Sequence, residues 1–329
     1  MRDVRSDLRS RRVLDTELAG LTTRIAGPLF TRPEPRQAFA DLVRALLADV
    51  SRKNSWQLAD HIGHATAHCF EHLLDREKWD VDALRDEVRS YVIAHLGRAD
   101  GVLIADDTAA IKKGEMSVGV ADQHCGLTGQ VENCQVMLML TYASSAGHAF
   151  VNRRLYLPEA WTGDPQRRAR AGVPSHVVFR TKPQLVIDML TEELAAGTKG
   201  LRIYDWTAVS VAVSGPAPAP EYAHTLLIRR SVTAPLEVEF FLAHAPTGTS
   251  VSELIDAAGM RWKIEENNEH GKDLPGLTSY QVRKWTPWHR HVTIAMLALA
   301  FLAATRAALP TDETAGEGKD RLLLEAPAP

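Results

Sequence analysis

Apolar positions change their spacing near residue 100. Before it they recur every three or four residues, in Ala38–Val50 and in Ala83–Leu96, where Leu84, Val88, Tyr91, Val92 and Leu96 share a side. Residues 1–100 therefore read as helical, with Asp80 and Asp82 as candidate N-caps and Gly97 as a stop. From Gly101, GVLIAD is a short apolar run ending in two acids, the pattern of a buried strand whose end enters a site. Val131–Ala143 and His148–Leu157 read as the next two strands, joined by the turn-like SSAG. After a Pro/Arg-rich loop, Thr181 can cap a helix through Ala196, with Pro183 in its first turn and Leu185, Met189, Leu190 and Leu194 on one face. Three β-rich runs follow, Leu201–Val213, Tyr222–Ser231 and Leu236–Ala243, the first two separated by the stiff GPAPAP. From Ser250 to Ala308 the pattern is helical again apart from Gly271–Thr278, and the polar tail 310–329 reads as disordered. There is no internal repeat. This order predicts an α/β fold, a mixed sheet core behind an N-terminal helical domain.

Composition narrows the class. A chain of 329 residues, 45% of them hydrophobic, can bury one large core or two modest ones. Its net charge of -3 allows a nucleic-acid partner only through a local basic face. Cys69, Cys125 and Cys134 form no CxxC pair, which points to a reducing cytosol. The charged start MRDVRSDLRSRR has no apolar stretch of a signal peptide. Val292–Thr305, the longest apolar run, is too short to span a bilayer and reads as a buried core helix. A soluble intracellular protein, with no membrane partner, is expected.

Two carboxylate segments carry candidate chemistry. Asp106 and Asp107 close a buried strand and are followed by Thr108, Lys112 and Lys113, a layout suited to a hard divalent cation near a phosphate. Solvated acids beside a lysine turn fit the same residues. In RWKIEENNEHGK, Arg261, Glu265 and Glu269 stand at helical i,i+4 spacing, with Lys272 two turns after Glu265. A charged solvated helix face is the plain alternative, although Met260, Trp262, Ile264 and Leu277 suggest partial burial, where a carboxylate needs a partner. His61, His64, His68 and His72 fall on one helical face beside Cys69, either a transition-metal patch or a histidine-rich surface. Arg153, Arg154, Arg167, Arg168, Arg170, Arg180 and Lys182 could track a phosphate backbone or simply be solvated. Trp285, Trp288, His289 and His291 suit packing of the C-terminal helix better than base stacking.

Several long blocks, in order, carry a resemblance. DDTAAIKKGEMSVGVADQHCGLTGQVENCQV (106–136) resembles the first-carboxylate block of insertion-sequence DDE transposases, the DDE superfamily endonucleases. RRLYLPEAWTGDPQRRARAGVP, FRTKPQL, IYDWTAV, RWKIEENNEHGKDLPGL and VRKWTPWHRHVTIAMLALAFL resemble later blocks, and NSWQLADHIGHAT with WDVDALRDEVRSYVIAHLG the preceding helical domain. The likeness covers roughly residues 50–306. It implies a ribonuclease H-like core in which three carboxylates hold Mg²⁺ (or Mn²⁺) for cleavage and strand transfer of DNA at terminal inverted repeats. It places the first acid on Asp107, beside Asp106 and Thr108. The last falls on Glu265, with Arg261 and Lys272 completing an Arg–x3–Glu–x6–Lys signature in which Ala258 replaces a frequent tyrosine. Lys112, Lys113, Arg180 and Lys182 become the expected DNA contacts, a second copy or an intact transposase the expected protein partner, and the cytoplasm, at the nucleoid, the expected place.

The implied domains are a helical DNA-binding domain (1–99), the first half of the core (100–199), a β-rich insertion remnant (200–248), a helical C-terminal part (249–309) and the tail. The family helix matching Thr181–Gly197 should lead into a strand ending in the second catalytic Asp. Here AAGTKGLRIYDW runs almost directly into the later YDW block. The core is thus expected to be incomplete and catalysis impaired, unless Gly200–Asp205 slides into the vacant slot and Asp205 serves as substitute. The alternative is a relic or domesticated protein that binds DNA without catalysis.

Overall fold

The computed structural model describes residues 4–99, 101–195, 202–203, 205–207, 221–230, 238–250, 253–254 and 262–309. Its first third is helical: α1 (Val4–Leu29), α2 (Pro33–Leu47), α3 (Ser55–Ile62), α4 (His68–Glu71) and α5 (Val81–Leu96). A single π-helical turn (His72–Arg76) continues α4. Pro33 starts α2, where an absent N–H leaves no bond unmade. Asp80 caps α5 by accepting from the N–H groups of Asp82 and Ala83, so Asp80 is the cap and Asp82 lies inside the first turn. Gly97 ends α5, and a Cβ there would stand 2.3 Å from the carbonyl oxygen of Ile93.

The main sheet grows on one long strand. β3 (Gln130–Ser144) pairs antiparallel with β1 (Val102–Ile111) on one side and β4 (Gly147–Leu155) on the other. β2 (Ala121–Cys125) continues the β4 side. β5 (Arg202–Ile203) lies parallel to β1, opposite Val102 and Leu103, giving the row β4–β3–β1–β5. β6 (Asp205–Thr207), β7 (Tyr222–Arg230) and β8 (Val238–Pro246) pair among themselves in a second, closed sheet. GPAPAP and the end of the first β-rich run lie outside the described residues.

Two expectations are corrected here. The acids of GVLIADD do not end their strand: β1 continues to Ile111, because β3 supplies partners as far as Cys134. The Pro/Arg-rich stretch is not a plain loop but holds α6 (Glu159–Thr162) and α7 (Pro165–Ala171). Asp164 caps α7 through the Arg167 N–H, and α6 buries Trp161, whose indole N–H donates to the Val120 carbonyl at 2.7 Å.

The remaining helices are α8 (Lys182–Ala195), α9 (Trp262–Asp273) and α10 (Trp285–Ala308). They take opposite faces of the sheet. His148 and Phe150 of β4 meet α9, whereas Asn152 and Arg154 bond Glu192 of α8. A bulge at Val151, where the register with Leu140 and Thr141 shifts, moves even-numbered residues from one face to the other. The C-terminal apolar run Val292–Thr305 lies in a buried helix, as expected. Its helix has 24 residues, long and apolar enough by composition to cross a membrane, yet Trp288, Val292, Ile294 and Met296 are fully buried in the common core. Trp288, His289 and His291 pack inside, as expected.

Candidate active site

Asp106 and Asp107 are consecutive in a regular strand, so their side chains leave opposite faces of the sheet. The α8 face receives Asp107. Its Oδ2 lies 2.5 Å from Nζ of Lys182, each side chain about a third exposed. Local sequence fixes that lysine. Thr181 and Gln184 form a capping box, the Gln184 Oε1 accepting from the Thr181 N–H at 2.9 Å and Thr181 Oγ1 from the Gln184 N–H at 3.4 Å. Lys182 is therefore the first residue of a helix whose start is set. Around it the face is polar: Asn152 donates to Glu192 and Glu193, and Arg154 and Arg85 pair with Glu192. Burial raises the Glu193 carboxyl above its ordinary pKa, against the opposing pull of Arg89.

The other face belongs to α9. Ile264 is buried with Val102, Ile104 and Ala143. Asn267 donates to Thr141 Oγ1 at 3.0 Å, Lys263 to the Ser144 carbonyl at 2.6 Å, and Glu266 meets His148 at 3.2 Å. With these residues seated on the sheet, Asn268 reaches β1, where its Nδ2 donates to Asp106 Oδ2 at 3.4 Å. Glu265 stands one turn before Asn268 on the exposed side, and Lys272 lies one turn after it. The helix with Glu265 thus approaches Asp106, and Asp107 points away from it. Asn268 had not been singled out; its i,i+3 spacing from Glu265 was the available signal.

The other expected site residues scatter. Thr108 is buried. Lys112 packs over the Tyr280 ring at 3.9 Å and donates to its carbonyl, and burial lowers its pKa to about 8. Lys113 is exposed, and Arg180 lies 3.8 Å from Asp188. Arg261 falls outside the described residues. The Asp205 backbone pairs with His244 in the second sheet, and among the described residues of this run Arg202 and Ile203 pair with β1.

The basic run divides too. Arg153 is a core residue, 1% exposed, bonded twice to Asp82 and shifted by burial to about 10. Arg168 ties together the carbonyls of Pro174 and Val177. The four histidines do not share one helical face, because α3 stops at Ile62 and Gly63 turns the chain with φ 86°. His64 bonds Asp41 at 3.2 Å, and His72 lies 3.6 Å from Glu77.

Among the described residues no three His, Cys, Asp or Glu side chains are grouped to hold a metal ion. A hard divalent cation takes six or more oxygens with compensating charge. Asp106 and Asp107, on opposite faces and with Lys182 already against Asp107, do not fit that requirement.

Residues 27–200, just over half the chain, match the family described as DDE superfamily endonuclease. Over 171 residues, 52% of this chain, the sequence is 26% identical to the probable transposase for insertion sequence element IS701 of Microchaete diplosiphon. That alignment takes in 42% of the relative, so the chain spans less than half its length. The family match begins near the end of α1, contains β1 with both acids and α8, and stops before α9.

Proposed function

Because the chain belongs to the DDE superfamily endonucleases, we propose that it is a transposase-family protein that engages insertion-sequence ends and whose own DNA cleavage and strand transfer are impaired. Members of the superfamily generally use divalent metal ions. In this reading the core is ribonuclease H-like, supported by the row β4–β3–β1–β5 with a parallel last strand. That strand is incomplete. Residues 196–201 separate α8 from β5, a reach of roughly 20 Å when extended, and among the described residues β5 covers two residues of β1. A further strand carrying an acid has no length of chain to form it there.

Asp107 and Glu265 remain the residues assigned to Mg²⁺ or Mn²⁺, with Asp106, Thr108, Arg261 and Lys272 in support and Asp205 as the weaker substitute. The observation that carries the impairment is the Lys182–Asp107 pair. An ammonium on the carboxylate supplies the countercharge a cation would bring, without its open coordination positions. Lys112, Lys113, Arg180 and Lys182 stand as the proposed DNA contacts of the family site. A second copy or an intact transposase is the protein partner, and the cytoplasm, at the nucleoid, the place of action. The same pair favours the second reading, a relic or domesticated protein that occupies DNA without cutting it.

The test is nicking of supercoiled plasmid in 10 mM MgCl₂ or MnCl₂, with DNA binding measured in parallel. Binding without nicking is expected. Nicking that Asp107→Ala and Glu265→Ala both abolish would overturn the impairment; nicking that survives both comes from a contaminant.

A further inference from the structure

Several arginines of this chain have an acid beside them. Arg24, Arg32, Arg44, Arg85, Arg89 and Arg154 each form an ion pair. Around the C-terminal end of β1 cations without such a partner gather. Two clefts of about 890 and 840 Å³ open there, sharing Lys113, Met116, Arg283 and Lys284 as a common wall, so that they form one groove. Seven Lys and Arg side chains line it against four Asp and Glu, in a chain whose net charge is -3.

Three of the seven cations are tied locally: Lys112 to Tyr280, Arg167 over the Trp161 ring at 3.9 Å, and Lys284 to Asp75 at 2.9 Å. The other four, Arg76, Lys113, Arg170 and Arg283, are exposed and have no carboxylate partner among the described residues. Four separate parts of the fold supply them: the π-helical turn after α4, the loop after β1, α7 and the segment before α10. Trp56, 61% exposed, stands at one end as an apolar wall. Unpaired cations gathered from distant segments cost self-repulsion, which a polyanion relieves.

We infer that this groove holds the phosphate backbone of duplex DNA, with Arg76, Lys113, Arg170 and Arg283 as the contacting cations. The inference rests on the reading of the chain as a DNA-engaging transposase-family protein, and it adds a track distinct from the face that carries Asp107. Lys113 stands six residues beyond Asp107, roughly 20 Å along an extended strand, or about six base pairs of duplex. The groove therefore grips DNA to one side of the acids and sets where along the duplex they would sit. Glu71, Glu115 and Asp122, also in its walls, confine the phosphates to the basic positions.

The test is fluorescence anisotropy with a labelled random-sequence 30-bp duplex over a salt series. Lys113→Glu/Arg170→Glu/Arg283→Glu is compared with Arg12→Glu/Arg52→Glu/Arg98→Glu, an equal charge change at exposed sites outside the groove. The groove variant is expected to bind at least 30-fold more weakly, with the slope of log Kd on log salt reduced by about 2 to 3, and the control within threefold of the unaltered chain. Circular dichroism checks the fold, and Lys113→Gln/Arg170→Gln/Arg283→Gln replaces the reversal if that variant misfolds. Equal weakening in both variants, or none in the groove variant, overturns the groove while leaving DNA engagement standing. No binding by the unaltered chain overturns both, and a tenfold preference for an RNA stem-loop overturns the assignment to DNA.

Discussion

The two faces of the main sheet are built from different materials. Under α9 and α10 the surface is mostly apolar around a few buried polar groups: Ile264 meets Val102, Ile104 and Ala143, and His289 and His291 are enclosed and uncharged, held by burial at about 3 and about 4. Under α8 it is a charged lattice of Arg154, Arg85, Glu192, Glu193, Lys182 and Asp107. β1 gives one carboxylate to each. The helix that carries Glu265 sits on the apolar side, while the acid most like the family's first position sits on the charged side. A site made of both would need a further carboxylate to join them.

The largest test of this contrast is acid. His289 and His291 ordinarily titrate near 6.5, and burial lowers both in the folded state. Above pH 6.5 they are neutral in either state and add no pH dependence. Below it the unfolded chain takes up protons that the folded chain refuses, so stability falls by about 1.4 kcal/mol per pH unit for each, until pH nears 4. Between pH 6.5 and 5 the pair should cost about 3 kcal/mol, read as the drop in urea midpoint. His289→Gln/His291→Gln keeps the donors to Trp285 and Gly276 and should flatten that drop. An unchanged pH slope would show that the apolar face does not exclude charge.

Next in size, Ile264→Ala should destabilise by about 3 kcal/mol, since its side chain is 1% exposed against three apolar neighbours. A loss below about 1 kcal/mol would mean that α9 is held by its polar bonds instead. The smallest effect is Lys182→Met. Its ion pair is about one-third exposed on both sides, so the loss should stay under about 1 kcal/mol. The informative readout is the cation response: 10 mM MnCl₂ should raise the melting temperature of the variant and leave the unaltered chain unmoved. Equal responses would remove the lysine as the block at Asp107.

How far the sequence could be read follows the range of each interaction. The helices before residue 100 and the cap at Asp80 depend on neighbours within one turn, and their spacing is plain in the chain. The apolar run GVLIAD placed the acids on a strand, and the structure has them on β1. Three other features depend on partners far away. β1 extends past its acids because β3 is long; Arg153 is interior because Asp82 waits on α5; and the histidines are split by a turn at Gly63. The allocation of Asp106 and Asp107 to different helices needed strand alternation together with the positions of α8 and α9, which no local pattern contains.

The extra residue at Val151 has a consequence of another kind. It works as a reading-frame shift carried out in space: everything after it on β4 is displayed to the opposite side, so Arg153 turns inward and Arg154 outward to Glu192. Deleting that residue would leave the last four positions facing as they do, because Phe150 and Asn152 already pair with the consecutive Thr141 and Leu140, but straightening the bulge with the residue kept would exchange their sides. A charged arginine would then be presented where α8 now meets its neighbour. Substitutions along β4 can therefore be interpreted only after asking on which side of residue 151 they fall.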